Sequence, residues 1–277
     1  MVSSFQLSGY DFYSKRHEME LITSIVEALK EIVEEDKQEK QPLFIKIADN
    51  FIMNLARKVV QEKKKTFLIG IAGESASGKT TFVDNTVKVC VKDEIDGIYT
   101  VIRCDDYFKD TSKELKEAGN YERLFKTGFS FDTPEVVNLD LMKQNLIDLK
   151  HGKAIIAPRY DFVTCESFLD GEVKKPARVL LNEGLYVLNE GLREIMDISV
   201  YVFTPLDILK DRWYKRAASR GKTGLAADMQ FKDVNKTAQR YIRPNMEIAD
   251  VIINGLVNID YIETITDKIF STIDAIC

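Results

Sequence analysis

The chain has 277 residues, 45% of them hydrophobic and 30% charged, enough to bury one large domain or one domain with an appendage. A formal net charge of −5 argues against an electrostatic nucleic-acid binder, and no stretch approaches the ~20 apolar residues of a membrane-spanning helix. The cysteines (Cys90, Cys104, Cys165, Cys277) are scattered and only His17 and His151 are histidines, so neither a disulfide framework nor a zinc ligand set is expected. The opening MVSSFQLSGYDFYSKRHEME has no apolar leader core, and the reading predicts a reducing, cytoplasmic setting.

Residues 1–65 read as a helical extension. Leu21, Ile22, Ile25, Val26, Leu29, Ile32 and Val33 recur at three and four residues. EEDKQEKQP interrupts them, and Phe44, Ile47, Ala48, Phe51, Ile52, Leu55, Ala56 and Val59 resume the pattern. Two amphipathic helices must bury their stripes. Packing on the main domain is preferred to a dimer interface, so a homo-oligomer stays open as the alternative. The lysines at 63–65 read as a solvated helix end.

From residue 66 onward short apolar runs alternate with helical patterns. TFLIGIA, IYTVIRC, RVLLN, ISVYVFT and ADVIIN are the expected strands. KTTFVDNTVKVCV, PEVVNLDLMKQNLIDLK and LDILKDRWYKRAAS are expected helices between them. That texture predicts an α/β fold with a mostly parallel sheet covered by helices on both faces. AIIAPRYDFVTCESFLDGEVKKPA breaks the rhythm as a β-hairpin insert, with Asp170-Gly171 as the turn signal.

Gly73-Glu74-Ser75-Ala76-Ser77-Gly78-Lys79-Thr80 follows the first of these strands and matches G-x-x-x-x-G-K-[ST], the phosphate-binding P-loop. Its glycines let the backbone close on phosphate oxygens. The successive N–H groups and the following helix N-terminus stabilise an anion. Lys79 then reaches the β- and γ-phosphates, and the Thr80 hydroxyl, with Thr81 beside it, meets Mg²⁺. The loop is therefore expected to hold a nucleoside triphosphate in a P-loop NTPase fold.

Further charged residues fall near strand ends, where open α/β sheets bind ligands. Asp105 and Asp106 follow IYTVIRC; either could take a proton from an attacking hydroxyl, or both could be loop and capping acids. Glu183 follows RVLLN, where an acid helps hold Mg²⁺. Arg212, Arg216 and Arg220 share one helical face with Lys215 beside them and Lys222 beyond a glycine. A mobile basic lid over about residues 210–230 and a merely solvated basic face both suit this pattern.

Taken together, GESASGKTT, CDDYFKD, FSFDTPEVV, GKAIIAPRYDFVT, LLNEGLYVL, FTPLDILKDRWYKRAASRG and RPNMEIADVIING resemble the uridine kinase and phosphoribulokinase family of P-loop kinases. The resemblance implies a kinase domain over residues 66–277 that uses ATP and Mg²⁺. It makes Asp105 the base, Asp132 the acid that binds sugar hydroxyls with Phe131 beside it, and Tyr160 a residue packed on the acceptor. Arg212, Lys215 and Lys222 become lid cations, with lysine at 215 where arginine is usual. Cys165 stands where the nucleoside kinases place a pyrimidine-reading histidine, and a thiol is a poor substitute.

The expected activity is ATP- and Mg²⁺-dependent phosphorylation of a small hydroxyl acceptor, a nucleoside such as uridine or cytidine first. A sugar phosphate, pantothenate or another metabolite is the alternative. A nucleotide-binding regulatory ATPase is the reading from another class. Against it, NKTA at residues 235–238 lacks the aspartate of a guanine-reading motif.

Overall fold

A computed structural model describes residues 6–62, 66–91 and 98–276, the side chains of 6–13, 90 and 91 excepted. The basic run at 63–65 lies outside the described residues, as do Cys277 and the side chain of Cys90. The chain opens with α1 (Gln6–Asp36), β1 (Phe44–Ile47) and α2 (Phe51–Gln61). Here the structure corrects the sequence reading. Phe44 and Ile47 belong to a strand, not to the second helix, which begins at Phe51 after Asn50 takes a left-handed backbone (φ 64°). Asp36 explains the break. Its buried carboxylate accepts from the backbone N–H groups of Leu43 (2.8 Å) and Phe44 (2.9 Å) and from the Tyr261 hydroxyl (2.8 Å), turning the chain out of the helix.

The rest of the chain alternates strand and helix. β2 (Phe67–Gly73), α3 (Lys79–Val91) and β3 (Tyr99–Arg103) lead through a 3₁₀ turn (Cys104–Tyr107) to α4 (Ser112–Ala118) and α5 (Tyr121–Lys126). Next come α6 (Leu139–Lys150) and an insert of β4 (Ile155–Ile156), β5 (Arg159–Asp161), β6 (Glu166–Phe168) and β7 (Val173–Lys174). β8 (Val179–Gly184), α7 (Glu190–Arg193), β9 (Ile198–Phe203), α8 (Leu206–Ser219) and α9 (Gly224–Thr237) follow. A π-helical turn (Ala238–Ile242), α10 (Asn245–Ile248), β10 (Val251–Asn254) and α11 (Ile259–Ile276) complete it.

Six strands form one sheet in the order β1-β10-β9-β2-β8-β3, parallel throughout except for β1, which runs antiparallel to β10. Alternate strand residues face opposite layers, as the period of two requires. Leu68, Ile102, Leu180 and Tyr201 pack with α6 and the π-helical turn. Ile71, Leu181, Val200 and Ile253 pack with α1, α2, α3 and α11. The N-terminal stripes are thus buried on the sheet, in the same core as the strands.

The insert is a hairpin, β4 with β7 and β5 with β6, both antiparallel. Its tip lies at residues 162–165, with Cys165 in left-handed backbone (φ 60°), rather than at Asp170-Gly171. Asp161 fixes that tip by accepting from the N–H groups of Val163 and Thr164. Gly171 sits instead on the returning arm between β6 and β7, where the Ala157 carbonyl would stand 2.3 Å from any Cβ.

Candidate active site

Four segments converge at the carboxyl ends of β2, β3, β8 and β9. The loop between β2 and α3 turns through Ala76 (φ 69°) and Gly78 (φ 101°). It is tied from behind, where the Thr204 hydroxyl donates to the Ser77 carbonyl at 2.8 Å. Lys79 heads α3 and is buried. Its Nζ donates to the Glu74 carbonyl at 2.9 Å, and burial holds its pKa below the usual lysine range against the pull of Glu183. Ser77 Oγ is buried with no partner. Amides gathered at a helix start, a buried ammonium and an unpartnered hydroxyl are the donor set that a polyphosphate tail needs.

The Thr80 hydroxyl donates to Glu183 Oε1 at 3.0 Å, and the same oxygen accepts from Arg103 at 3.1 Å. Burial raises the Glu183 pKa while Lys79 opposes the rise. Glu183 is brought there by close approach of two backbones: a Cβ on the next residue, Gly184, would lie 2.0 Å from the Cys104 Cβ. Among the described residues no group of three or more His, Cys, Asp or Glu could hold a metal alone. A hydroxyl and one carboxylate, both hard oxygen donors, fit a Mg²⁺ that takes its remaining ligands from phosphate and water.

Asp105 and Asp106 occupy the turn after β3, both half-buried. They differ in setting. Burial, then repulsion from Asp105, pushes Asp106 up to about 6. Asp105 lies close enough to Lys79, Glu183 and Arg220 to influence the titration of all three. The loop carrying Asp132 docks on this turn through Lys109 N–H to the Val136 carbonyl (2.8 Å) and Asn138 N–H to the Tyr107 carbonyl (2.8 Å).

A narrow pocket of about 50 Å³ opens beside these groups, lined by Asp132, Tyr160, Cys165, Arg216, Arg220 and Lys222 among others. Phe131 also lines it; Asp105 does not. Asp132 is buried, its Oδ2 has no hydrogen-bond partner, and burial lifts its pKa to about 6 although Lys222 opposes this. The Tyr160 ring lies 5.2 Å from that of Phe108, and its hydroxyl is 3.2 Å from Thr111 Oγ1. Cys165 is buried, with Tyr121 Oη 3.7 Å from its sulfur. Lys222 Nζ stands 4.5 Å from the Tyr121 ring centre and 4.9 Å from that of Phe131.

The sequence profile of the phosphoribulokinase / uridine kinase family matches residues 68–261, which include every element of this site. Uridine kinases from Staphylococcus aureus strains JH9 and Newman are each 33% identical over 215 residues, covering 76% of this chain and 98% of their own. The chain belongs to the phosphoribulokinase / uridine kinase family. A solved structure from Bacillus stearothermophilus, described as a possible uridine kinase, aligns over 68% of this chain and 88% of its own with 18% identity and a TM-score of 0.45. The family makes the protein a kinase, a phosphotransferase that acts on a hydroxyl group of a small molecule.

Within this family frame, six cations on α8 and the loops around it separate by position. Arg212 donates to the Gly255 carbonyl at 3.0 Å and lines a second cleft, of about 590 Å³, with Gly78, Lys79, Thr80, Thr81, Asn254 and Asn258. Arg216 lies against Ser75 Oγ and faces both clefts. Arg220 stacks on Phe162 at 4.0 Å, and Lys222 lines the narrow pocket with Asp132. Lys215, by contrast, is exposed and lines neither cleft. Arg243 was missed by sequence reasoning. It grips the Glu74 carboxylate with two nitrogens (3.0 and 2.9 Å) and so braces the phosphate loop from the segment before β10. An arginine in a loop far along the chain carries no spacing signal that could have paired it with Glu74.

Proposed function

We propose that the protein is an ATP- and Mg²⁺-dependent kinase that transfers the γ-phosphoryl group to a hydroxyl of a small acceptor, a nucleoside such as uridine or cytidine first. The observation that carries this reading is the buried Lys79 at the head of α3, linked through Thr80 and Glu183 to Arg103, which immediately precedes the turn that bears Asp105. The amides of residues 73–80 and Lys79 bind the triphosphate tail. Thr80 and Glu183 would hold Mg²⁺, which when bound neutralises charge on the β- and γ-phosphates. Arg212 and Arg216 border the cleft in which the nucleotide would lie, and Arg216 and Arg220 spread developing charge at the transferring group. Asp105 accepts the proton of the acceptor hydroxyl as the new P–O bond forms. Asp132 and Tyr160 orient the acceptor. Residues 66–277 act as the kinase domain, with a lid at about 210–230 and residues 1–65 as its extension.

A purified protein assayed for ADP release against uridine, cytidine, pantothenate and sugar phosphates tests the reading. Release should depend on one acceptor class and fall about 10²–10⁴-fold in Asp105→Asn with nucleotide affinity kept. Nucleotide hydrolysis indifferent to every acceptor would overturn it in favour of a regulatory ATPase.

One observation favours the second acceptor class. The pocket offers a pyrimidine edge the buried Cys165 thiol, already directed at Tyr121, and three cations against one buried carboxylate, Asp132. That balance suits an acceptor with its own negative charge, a sugar phosphate or pantothenate. Cys165→His separates the two: it raises kcat/KM for uridine if the site is a pyrimidine site, and leaves uridine use unchanged if it is not.

A further inference from the structure

On the sheet face covered by α1, α2, α3 and α11 the packing leaves a partly open apolar cavity of about 200 Å³. Its floor is strand side chains such as Ile71 and Val200, and its walls include Leu29, Leu55, Val83 and Phe270. Close-packed interiors leave few gaps larger than a water molecule, and apolar surface left open in one gains from burial. Water gains nothing here, because a buried water needs two to four polar partners. Among the described residues only Thr86 and Thr266 bring polar side chains to the lining.

Thr86 supplies the second observation. Its hydroxyl is buried without a hydrogen-bond partner, whereas a threonine inside a helix ordinarily donates to a carbonyl one turn back. An unpartnered hydroxyl in an apolar chamber costs stability until something bonds it. The chamber is also an addition to the family's common part. The residues that α1, β1, α2 and α11 contribute, among them Leu29, Phe44, Leu55, Ile269 and Phe270, all lie outside the matched residues 68–261.

The geometry points to a binding site for a compact apolar molecule with one hydrogen-bonding group, of the size and chemistry of a substituted phenol, held by the aliphatic walls with Thr86 as its polar anchor. An apolar cavity of about 150 Å³ is already large enough to take up benzene, and p-cresol adds the single hydroxyl that Thr86 lacks a partner for. The site adjoins the cleft beside the phosphate loop, with which it shares Phe82 and Ile253, but takes none of that cleft's polar residues and does not depend on the kinase reading.

Thermal unfolding of the full chain with p-cresol or toluene tests it. Both should raise Tm in a concentration-dependent way by at least about 2 °C, as ligands confined to the folded state do, and p-cresol should bind more tightly. Thr86→Val keeps the shape and should cut the p-cresol advantage by about fivefold while sparing toluene. Leu55→Trp fills the chamber and should abolish both shifts. No rise in Tm with either compound, or shifts that survive filling, would overturn the site. An undiminished p-cresol preference in Thr86→Val would overturn the anchor, and that variant keeps the test decisive should Leu55→Trp fail to fold.

Discussion

Asp132 carries two opposed demands in one side chain. Its ordinary pKa of 3.8 is lifted to about 6 by burial. Between those values the folded protein holds a proton that the unfolded chain has released, so this group's contribution to stability is present at low pH and is lost as pH rises through about 6. Asp132→Asn should therefore raise Tm at pH 7.5, by up to about 3 kcal/mol of stability at 1.36 kcal/mol per pKa unit, and the gain should vanish near pH 4. Calorimetry of both proteins across that range measures it. The same variant should weaken acceptor binding at pH 7.5. In the wild type, acceptor KM should climb as pH drops below about 6, because the protonated carboxyl accepts fewer hydrogen bonds. A Tm difference that is flat with pH would show that the carboxylate does not titrate as its burial requires.

At the scale of elements, the five parallel strands were legible because each is a continuous apolar run between turn signals, and both the helix after the phosphate loop and α8 fall on the expected residues. Where the reading failed, local pattern was ambiguous. Phe44 and Ile47 suit one face of a helix as well as they suit a strand, and only the Asp36 carboxylate, eight residues away and bonded to the Phe44 amide, decides for the strand. The hairpin's insertion was readable, but its turn was not. Asp170-Gly171 has the composition of a tip, while register pairs Asp161 with Glu166 and puts the tip at 162–165. On α8, helical spacing grouped Arg212, Arg216 and Arg220 on one face with Lys215 beside them, but spacing could not tell that Lys215 is exposed and lines neither cleft.

Long-range braces have no such signature, and Arg243 is the clearest. Its bidentate hold on Glu74 fixes the first turn of the phosphate loop, to whose Glu74 carbonyl Lys79 donates. Arg243→Ala should raise KM for ATP about tenfold while lowering kcat less, since it loosens the cradle without touching the reacting atoms. Equal falls in kcat and kcat/KM with an unchanged KM would instead place the arginine in the transition state.

For the molecule as a whole, the N-terminal helices share one core with the strands. Ile25 is fully buried between them, in the layer that also holds Val200 and Ile253. Ile25→Ala should cost about 2–5 kcal/mol and lower Tm by several degrees, although the residue lies outside the family-matched segment. Calorimetry of that variant reads the coupling directly; an unchanged Tm would mean that the extension unfolds by itself.

The edge strand has a consequence for synthesis. β1 precedes the other five strands, yet its partner β10 is the last of them, with Phe44 opposite Ile253. Until that late strand emerges, the apolar stripe of α1 has no completed surface to settle on, and closing so long a loop is slow. α1 can meet α2 early, but its cover from β10 and α11 forms only when those distant segments join the sheet. Such non-local pairing lengthens the time for which apolar surface stays uncovered during folding.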